Sequence, residues 1–327
     1  MGNEKNLPTS RHFQLYELSD GVYVAIQKPG GWATSNAGII DLGDRTLIFD
    51  TFLTPQAAND LRAAAESLTG RPVTTVLNSH YHIDHVWGNQ VFAATTDIVA
   101  STVTRQLMAT QNPATITWQR ENAPAQLATL ERRQQAATKG QVRQQTLLQI
   151  DYYQGIIEAL PLLEPRLPNL TFDSQLVLHG SKRSAEALTY GVGHTPGDVM
   201  LFLPAEGILF TGDLINVNYH PYLADGDPGE VNRILDMISN KLKPRILVPG
   251  HGEIGNSEDV QAMARYLTAL TEMALVELAY KLENPSQLEE KITGLSIPTP
   301  FTSWYYSNFF ADNLRFLYQR MMKAYAD

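Results

Sequence analysis

Three imidazoles and one carboxylate occupy the six residues His80-Tyr81-His82-Ile83-Asp84-His85, directly behind the apolar run Val73-Thr-Thr-Val-Leu77. A short run rich in β-branched residues reads as a buried strand. The histidines therefore lie on the loop leaving a strand end, where a rigid scaffold can hold reactive groups. Alternate positions of an extended segment point the same way, so His80 and His82 can share one ion. Asp84 and His85 lie past the bend and can face a neighbouring position. Neutral imidazoles and a carboxylate suit zinc and similar divalent ions. From residue frequencies, chance produces this pattern in on the order of one in several thousand chains of this length. The fold has to close around that loop.

Three later pieces each follow a strand-like run. Gly193-His194-Thr195-Pro196-Gly197-Asp198 puts His194 in a Gly/Pro turn, Thr211-Gly212-Asp213-Leu214 puts Asp213 at a strand end, and Pro249-Gly250-His251-Gly252 puts His251 at another. Five of the eight histidines fall in this set, and His12, His179 and His220 lack such a context. Each piece alone is ordinary turn chemistry; behind a metal motif, together they point to convergence on one edge of a sandwich. Ligating imidazoles usually donate their other N–H to a carboxylate or carbonyl. Asp50, after Leu47-Ile-Phe49, and Asp198 are candidates for that role, with capping of a helix or turn as the alternative. Substrate contacts are expected from Asn216-Val-Asn-Tyr-His-Pro-Tyr222, where Tyr219 or His220 can donate a proton or a hydrogen bond. Gly30-Gly31-Trp32 reads as a hairpin flap that can bring Trp32 over the metals. For these aromatic residues, plain packing is the alternative. Phe301-Thr-Ser-Trp-Tyr-Tyr306 reads as core or interface.

Strand-like runs at Val22–Ile26, Ala37–Leu42 and Thr46–Phe49 suggest an antiparallel meander. Pro55 starts a helix over Gln56–Leu68 that stops at Gly70. Residues of about 101–170 are rich in Gln, Ala, Leu and Arg with helical periodicity, as in Leu127-Ala-Thr-Leu-Glu-Arg-Arg133. They read as a helical insertion ended by Pro161, Pro165 and Pro168, either with a solvated polar face or as a lid or homodimer element. Strands resume at Leu176–Leu178, Ala187–Tyr190, Val199–Leu203 and Ile208–Phe210, the last two joined as a hairpin. A helix over Val231–Lys241 leads to a strand at Ile246–Val248, and helices of about Asp259–Lys281 and Asn308–Tyr325 follow. Both element types in each half suit a sheet sandwich covered by helices on both sides.

The 327 residues, 43% of them hydrophobic, are ample for a full core. A net charge of −9 shows no basic footprint for nucleic acid, so the expected partner is a small-molecule substrate. The absence of cysteine removes thiolate nucleophiles, disulfides and Cys-type metal sites. No stretch reaches the roughly 18–20 apolar residues of a membrane span. Met1–Ser10 is polar, without the apolar core of a signal peptide, so a cytoplasmic location is expected.

Taken in order, the H-x-H-x-D-H loop, the G-H-T-P-G turn, the T-G-D strand end and the P-G-H-G turn resemble the metallo-β-lactamase superfamily, over about Asp20 to Gly255. The resemblance implies an α+β fold, an αββα four-layer sandwich, as a single domain over residues 11–327 with the helical insertion at about 101–170 and a C-terminal helical extension at about 256–327. It implies a dinuclear site: His80, His82 and His194 on the first ion, Asp84, His85 and His251 on the second, Asp213 bridging. The expected ions are zinc, with iron or manganese also compatible. Asp84 and Asp213 would handle protons as a metal-activated hydroxide cleaves an ester, lactone, thioester or amide. Many true β-lactamases place Cys where Asp213 stands and another residue where His85 stands. The set here is more typical of glyoxalase-like and lactonase-like hydrolases, and there is no C-terminal basic motif for glutathione. The alternatives are an iron-dependent oxidoreductase of the persulfide dioxygenase type, which shares the first motif, and a β-lactamase-like amidase.

Overall fold

Val22, Val24 and Ile26 share one face of a strand and Tyr23 and Ala25 the other, and both sets are buried. A strand apolar on both faces needs a covering layer on each side. The computed structural model, which describes residues 7–138, 140–276 and 287–326, supplies a second sheet on one side and a helix on the other.

The first sheet takes its strands in chain order. β1 (Phe13–Ser19), β2 (Val22–Gln27), β3 (Ala37–Asp41) and β4 (Thr46–Phe49) form an antiparallel meander. Helix α1 (Pro55–Thr69) then crosses to β5 (Val73–Leu77), parallel to β4. The Thr54 hydroxyl caps α1 by accepting from the Ala57 N–H, Pro55 opens it, and Gly70 closes it in the left-handed region at φ 70°. The short helix α2 (Ile83–Val86) and β6 (Asp97–Ser101) follow, then α3 (Thr102–Thr110), α4 (Asn112–Ala136) and α5 (Gly140–Ala159), and the parallel edge strand β7 (Leu170–Phe172).

In the second sheet β8 (Gln175–His179), β9 (Ser184–Leu188), β10 (Met200–Leu203) and β11 (Ile208–Phe210) are antiparallel. After α6 (Pro228–Met237), β12 (Ile246–Val248) adds parallel to β11. The chain ends in α7 (Ser257–Met273), α8 (Leu288–Gly294) and α9 (Asn308–Ala326).

Alternation sorts the core into layers. Ile40, Leu47, Phe49 and Leu77 meet Ala187, Leu201, Ile208 and Phe210 between the sheets. Ile39, Ile48 and Val76 pack on Ala57, Leu61 and Ala65 of α1. Met200, Leu209 and Leu247 pack on the C-terminal helices. The result is an αββα four-layer sandwich. Gly38 is required by the close approach of the sheets, since a Cβ there would stand 2.6 Å from the Phe210 ring. Helices α3–α5 bury Met108, Ile116, Ala123 and Ile156 against Leu53, Ile83, Val86 and Trp87, so they rest on the helix that carries Asp84 and His85. No helix among the described residues is long and apolar enough to cross a membrane.

The expected elements are present, with shifts that have local causes. The strand expected at Ala187–Tyr190 lies at Ser184–Leu188, because β8 pairs with it back to Ser184 opposite His179. The helix expected over Val231–Lys241 starts at Pro228, where Asp227 caps the Gly229 and Glu230 N–H groups. The helix expected to reach Lys281 begins at Ser257, and residues 277–281 lie outside the described residues. Strands β1, β6 and β7 and helix α8 come without a sequence expectation.

Asp41, at the end of β3, joins the layers. It accepts from Lys182 Nζ at 2.6 Å, in the β8–β9 turn, from Arg71 before β5, and from the Gly43 N–H at 2.9 Å. Burial alone would raise its pKa, but Lys182, the Gly43 N–H and Arg71 outweigh it and hold the carboxyl below the usual range. Its ionised form therefore stabilises the fold above the ordinary carboxylate pKa, and that contribution disappears as pH falls through the lower folded value. Asp41→Asn is expected to lower the melting temperature at pH 7 by roughly 2–5 °C, with the gap closing in acid. A gap that persists unchanged in acid would contradict this role.

Candidate metal centre

Asp50 ends β4 in the left-handed region at φ 60° with no exposed surface, a conformation Asp tolerates better than bulkier residues. Its Oδ1 accepts the Ser79 N–H at 2.7 Å, and its Oδ2 accepts the Ser79 hydroxyl at 2.7 Å and His85 Nδ1–H at 2.8 Å. With its own proton committed to Asp50, Ser79 Oγ accepts from His80 Nδ1–H at 2.9 Å. This network assigns the proton of both rings to Nδ1. Both Nε2 atoms are then lone pairs, buried and without a hydrogen-bond partner among the described residues.

His82 sits at the start of α2 and faces the other way round. Its Nε2 donates to Asp225 Oδ2 at 2.9 Å, leaving Nδ1 3.1 Å from His194 Nε2. That spacing suits two ligands of one tetrahedral ion, whose donors at about 2.0–2.1 Å from the metal stand roughly 3.3 Å apart. His194 is presented by a turn locked by Asp198, which accepts the Thr195 N–H at 3.0 Å and its hydroxyl at 2.5 Å.

Asp213 lies between the two ends. Its Oδ1 is 3.2 Å from His85 Nε2; its Oδ2 is 3.2 Å from His251 Nε2 and 3.7 Å from His194 Nε2. Asp84 Oδ2 stands 3.5 Å from His251 Nε2 and 3.8 Å from His85 Nε2. Gly250 has to be glycine, because a Cβ there would lie 1.9 Å from Asp213 Oδ1. Asn36 of the first sheet anchors the turn before and after His251 by donating to the Pro249 and Gly252 carbonyls at 3.0 and 2.9 Å. The side chains thus gather into three groups with metal-site spacing, each with its donor atoms within 4.8 Å of one another: His80, His82 and His194; Asp84, His85 and His251; and His80, His85 and Asp213.

The electrostatics fit a cation. Burial pushes His194 down to about 3 and His80 well below the usual imidazole range, so both rings are neutral, the ligating form. Burial would do the same to His85 and His251, but Asp213 and Asp84 override it and raise both, a demand for positive charge that a metal ion on Nε2 would meet in place of a second proton. Positive charge is what this pair of carboxylates requires. Together with the orphaned Nε2 atoms and Asp213 Oδ1, the donor set fits divalent metal ions.

The remaining candidates are placed as follows. Asp198 closes its own turn, and burial pushes its carboxyl up to about 7. Tyr219 lines the cavity above the site, with its ring 6.0 Å from that of His251 and its hydroxyl accepting from Gln27 Nε2 at 3.3 Å. The His220 ring is committed to the aromatic core, with Nδ1 2.6 Å from Tyr266 Oη and Trp304 and Phe310 around it; burial pushes it down to about 4. Trp32 stays out of the cavity wall: Arg11 stacks on its ring at 4.1 Å and its backbone N–H donates to His12 Nδ1. The flap expectation is corrected accordingly, since the Gly30 N–H is also tied to Asp151 at 2.7 Å. Asp225, which also accepts from Tyr81 Oη at 2.7 Å, had no signal in the sequence; Ala-Asp-Gly reads as any turn. A cavity of about 750 Å³ opens over the centre, lined by residues of α4 and α5 and of the 219–225 and 306–309 segments.

The model of the metallo-beta-lactamase superfamily matches residues 30–251. The chain belongs to the metallo-beta-lactamase superfamily. Among solved structures it is similar to a metallo-beta-lactamase from Pontibacter korlensis, with a TM-score of 0.56 and 18% identity over 79% of this chain and 99% of the other. It is also similar to VMB-1, at a TM-score of 0.56 and 18% identity over 80% and 99%. At that identity the likeness establishes the fold. Superfamily membership and the His/Asp groups support a metal-dependent, hydrolase-type function.

Removing Asp50 tests the frame. Asp50→Ala strands the Ser79 and His85 donors in a sealed site, at a cost of about 1–3 kcal/mol for each group left unpaired, and frees two rings of this superfamily centre to rotate. Denaturation and elemental analysis are expected to show a clear stability loss and a 10–100-fold weaker metal affinity, roughly the effect of losing an outer-shell partner. Unchanged metal binding would contradict the frame.

Proposed function

We propose that the chain is a dinuclear metallohydrolase that cleaves an ester, lactone, thioester or amide of a small molecule. The observation that carries this reading is the position of Asp213, within 3.2 Å of both His85 Nε2 and His251 Nε2 and 3.7 Å from His194 Nε2. One carboxylate thereby reaches both ligand groups. His80, His82 and His194 would hold one ion, Asp84, His85 and His251 the other, with Asp213 between them. The nitrogen-rich, cysteine-free donor set suits zinc and also accepts iron or manganese. When bound, such ions supply an acidified water and a Lewis acid for the substrate carbonyl.

The chain's own residues do the rest. Asp50 and Asp225 fix which nitrogen of His80, His85 and His82 faces inward. Asp84 borders the cavity and, with Asp213, would take a proton released on attack and return it to the leaving group. Tyr219 keeps its phenolic proton, because burial and then Tyr305 and Glu253 raise its pKa, and so can donate a hydrogen bond into the cavity while accepting one from Gln27. No serine or cysteine nucleophile is needed.

Asp213→Ala tests the reading. The variant is expected to fold, to bind less metal by elemental analysis, and to lose about 10³-fold or more of its hydrolytic kcat/KM on an activated ester or lactone. Full activity and full metal content would refute the bridging role. A wild-type protein that binds one iron and consumes oxygen on a persulfide, without hydrolysis, would refute the hydrolase reading.

A further inference from the structure

The cavity wall has a pattern that the metal centre does not require. Aromatic rings run in an unbroken arc from one ligand group to the other. The His82 ring is 6.2 Å from Tyr222, Tyr222 is 5.6 Å from Phe309, Phe309 stacks on Tyr306 at 5.5 Å and 16°, Tyr306 is 5.8 Å from Tyr219, and Tyr219 is 6.0 Å from His251. Tyr306 is held at φ 57°, a conformation that is rare and costly for a bulky side chain. The strain is retained where the ring closes this arc. Tyr152 and Tyr153 of α5 and Trp118 of α4 line the same cavity, and Trp118 is 46% exposed. Tyr306 and Phe309 lie beyond the superfamily match.

Charge is distributed the other way. Away from the metal centre and its partner Asp225, the only charged side chain lining the cavity among the described residues is Arg133, on the exposed end of α4; no lysine lines it. A phosphate or carboxylate held away from the metal centre needs a fork of cations to replace its hydration, and these walls do not provide one. The hydroxyls of Tyr152 and Tyr306 have no hydrogen-bond partner among the described residues, and the nearby Asp84 charge is one of the influences that keep both phenols protonated, after burial.

We infer that the cavity binds an uncharged ester or lactone with a planar apolar body, seated on the Tyr222–Phe309–Tyr306 arc and against the other aromatic residues of the lining, Trp118 and Tyr152. The Tyr152 and Tyr306 hydroxyls then donate to oxygens of the bound molecule. This substrate class rests on the hydrolase reading above, but binding can be measured without turnover. The experiment is calorimetry on the zinc-loaded full chain with N-methyl-2-naphthamide and with its 6-sulfonate, alongside hydrolysis of 2-naphthyl acetate. The uncharged amide is expected to bind about tenfold or more tightly than the sulfonate, and Tyr306→Ala and Trp118→Ala are each expected to weaken it by about tenfold. Tyr306→Phe, which keeps the ring, is expected to lose less. Trp118, on a half-exposed helix face, keeps the test valid if the Tyr306 variant does not fold. Equal or tighter binding of the sulfonate would overturn the inference in favour of anion recognition by Arg133. Amide binding unaffected by both alanine substitutions would also overturn it. Specific amide binding without any ester hydrolysis would count against the hydrolase reading and leave the binding-site assignment standing.

Discussion

The carboxylate of Asp50 is sealed from solvent and accepts three hydrogen bonds, two from Ser79 and one from His85. Through Ser79 it also fixes His80. Two imidazoles are thereby locked in one tautomer, with lone pairs directed at the same small volume. Burial of the carboxylate makes each bond costly to lose and leaves no competing water. Asp50 can do this because β4 and β5 are parallel neighbours, so the end of one strand lies beside the loop leaving the other. The site is therefore a consequence of the first sheet's topology. The second sheet completes it from across the interface, bringing Asp213 and His251 from the ends of the parallel pair β11 and β12.

Close approach is the second constraint. Gly38 lets the sheets meet over Phe210, Gly212 brings its strand end to within van der Waals distance of Ser79, and Gly250 makes room for Asp213. A methyl group at any of these would push one half of the centre away from the other. The insertion helices add a different kind of support. They pack on Ile83, Val86 and Trp87, which steadies the helix carrying Asp84 and His85, and Tyr152 and Tyr153 of that packed region also line the cavity.

Much of this was legible in the sequence because each candidate ligand directly follows an apolar run. His80 follows Val73–Leu77 and Asp213 follows Ile208–Phe210, so strand ends could be read and convergence inferred. Asp50 stood out for the same reason. Asp225 did not, because its partner His82 is distant in the chain and nothing local distinguishes its turn. Tyr306 was read as core or interface, since its place in the cavity depends on where α9 docks. β7 was missed because three residues at an exposed edge carry little pattern. His220 shows the converse: it sits in the segment that lines the cavity, yet its ring turns into the core to meet Tyr266.

The central claim is that one framework holds two ions with Asp213 between them. Anomalous diffraction from crystals of the zinc-loaded protein tests it directly. Two zinc peaks are predicted, roughly 3.5–4 Å apart, one against His80, His82 and His194 and the other against Asp84, His85 and His251. A single peak, or peaks elsewhere on the surface with this pocket empty, would contradict the account.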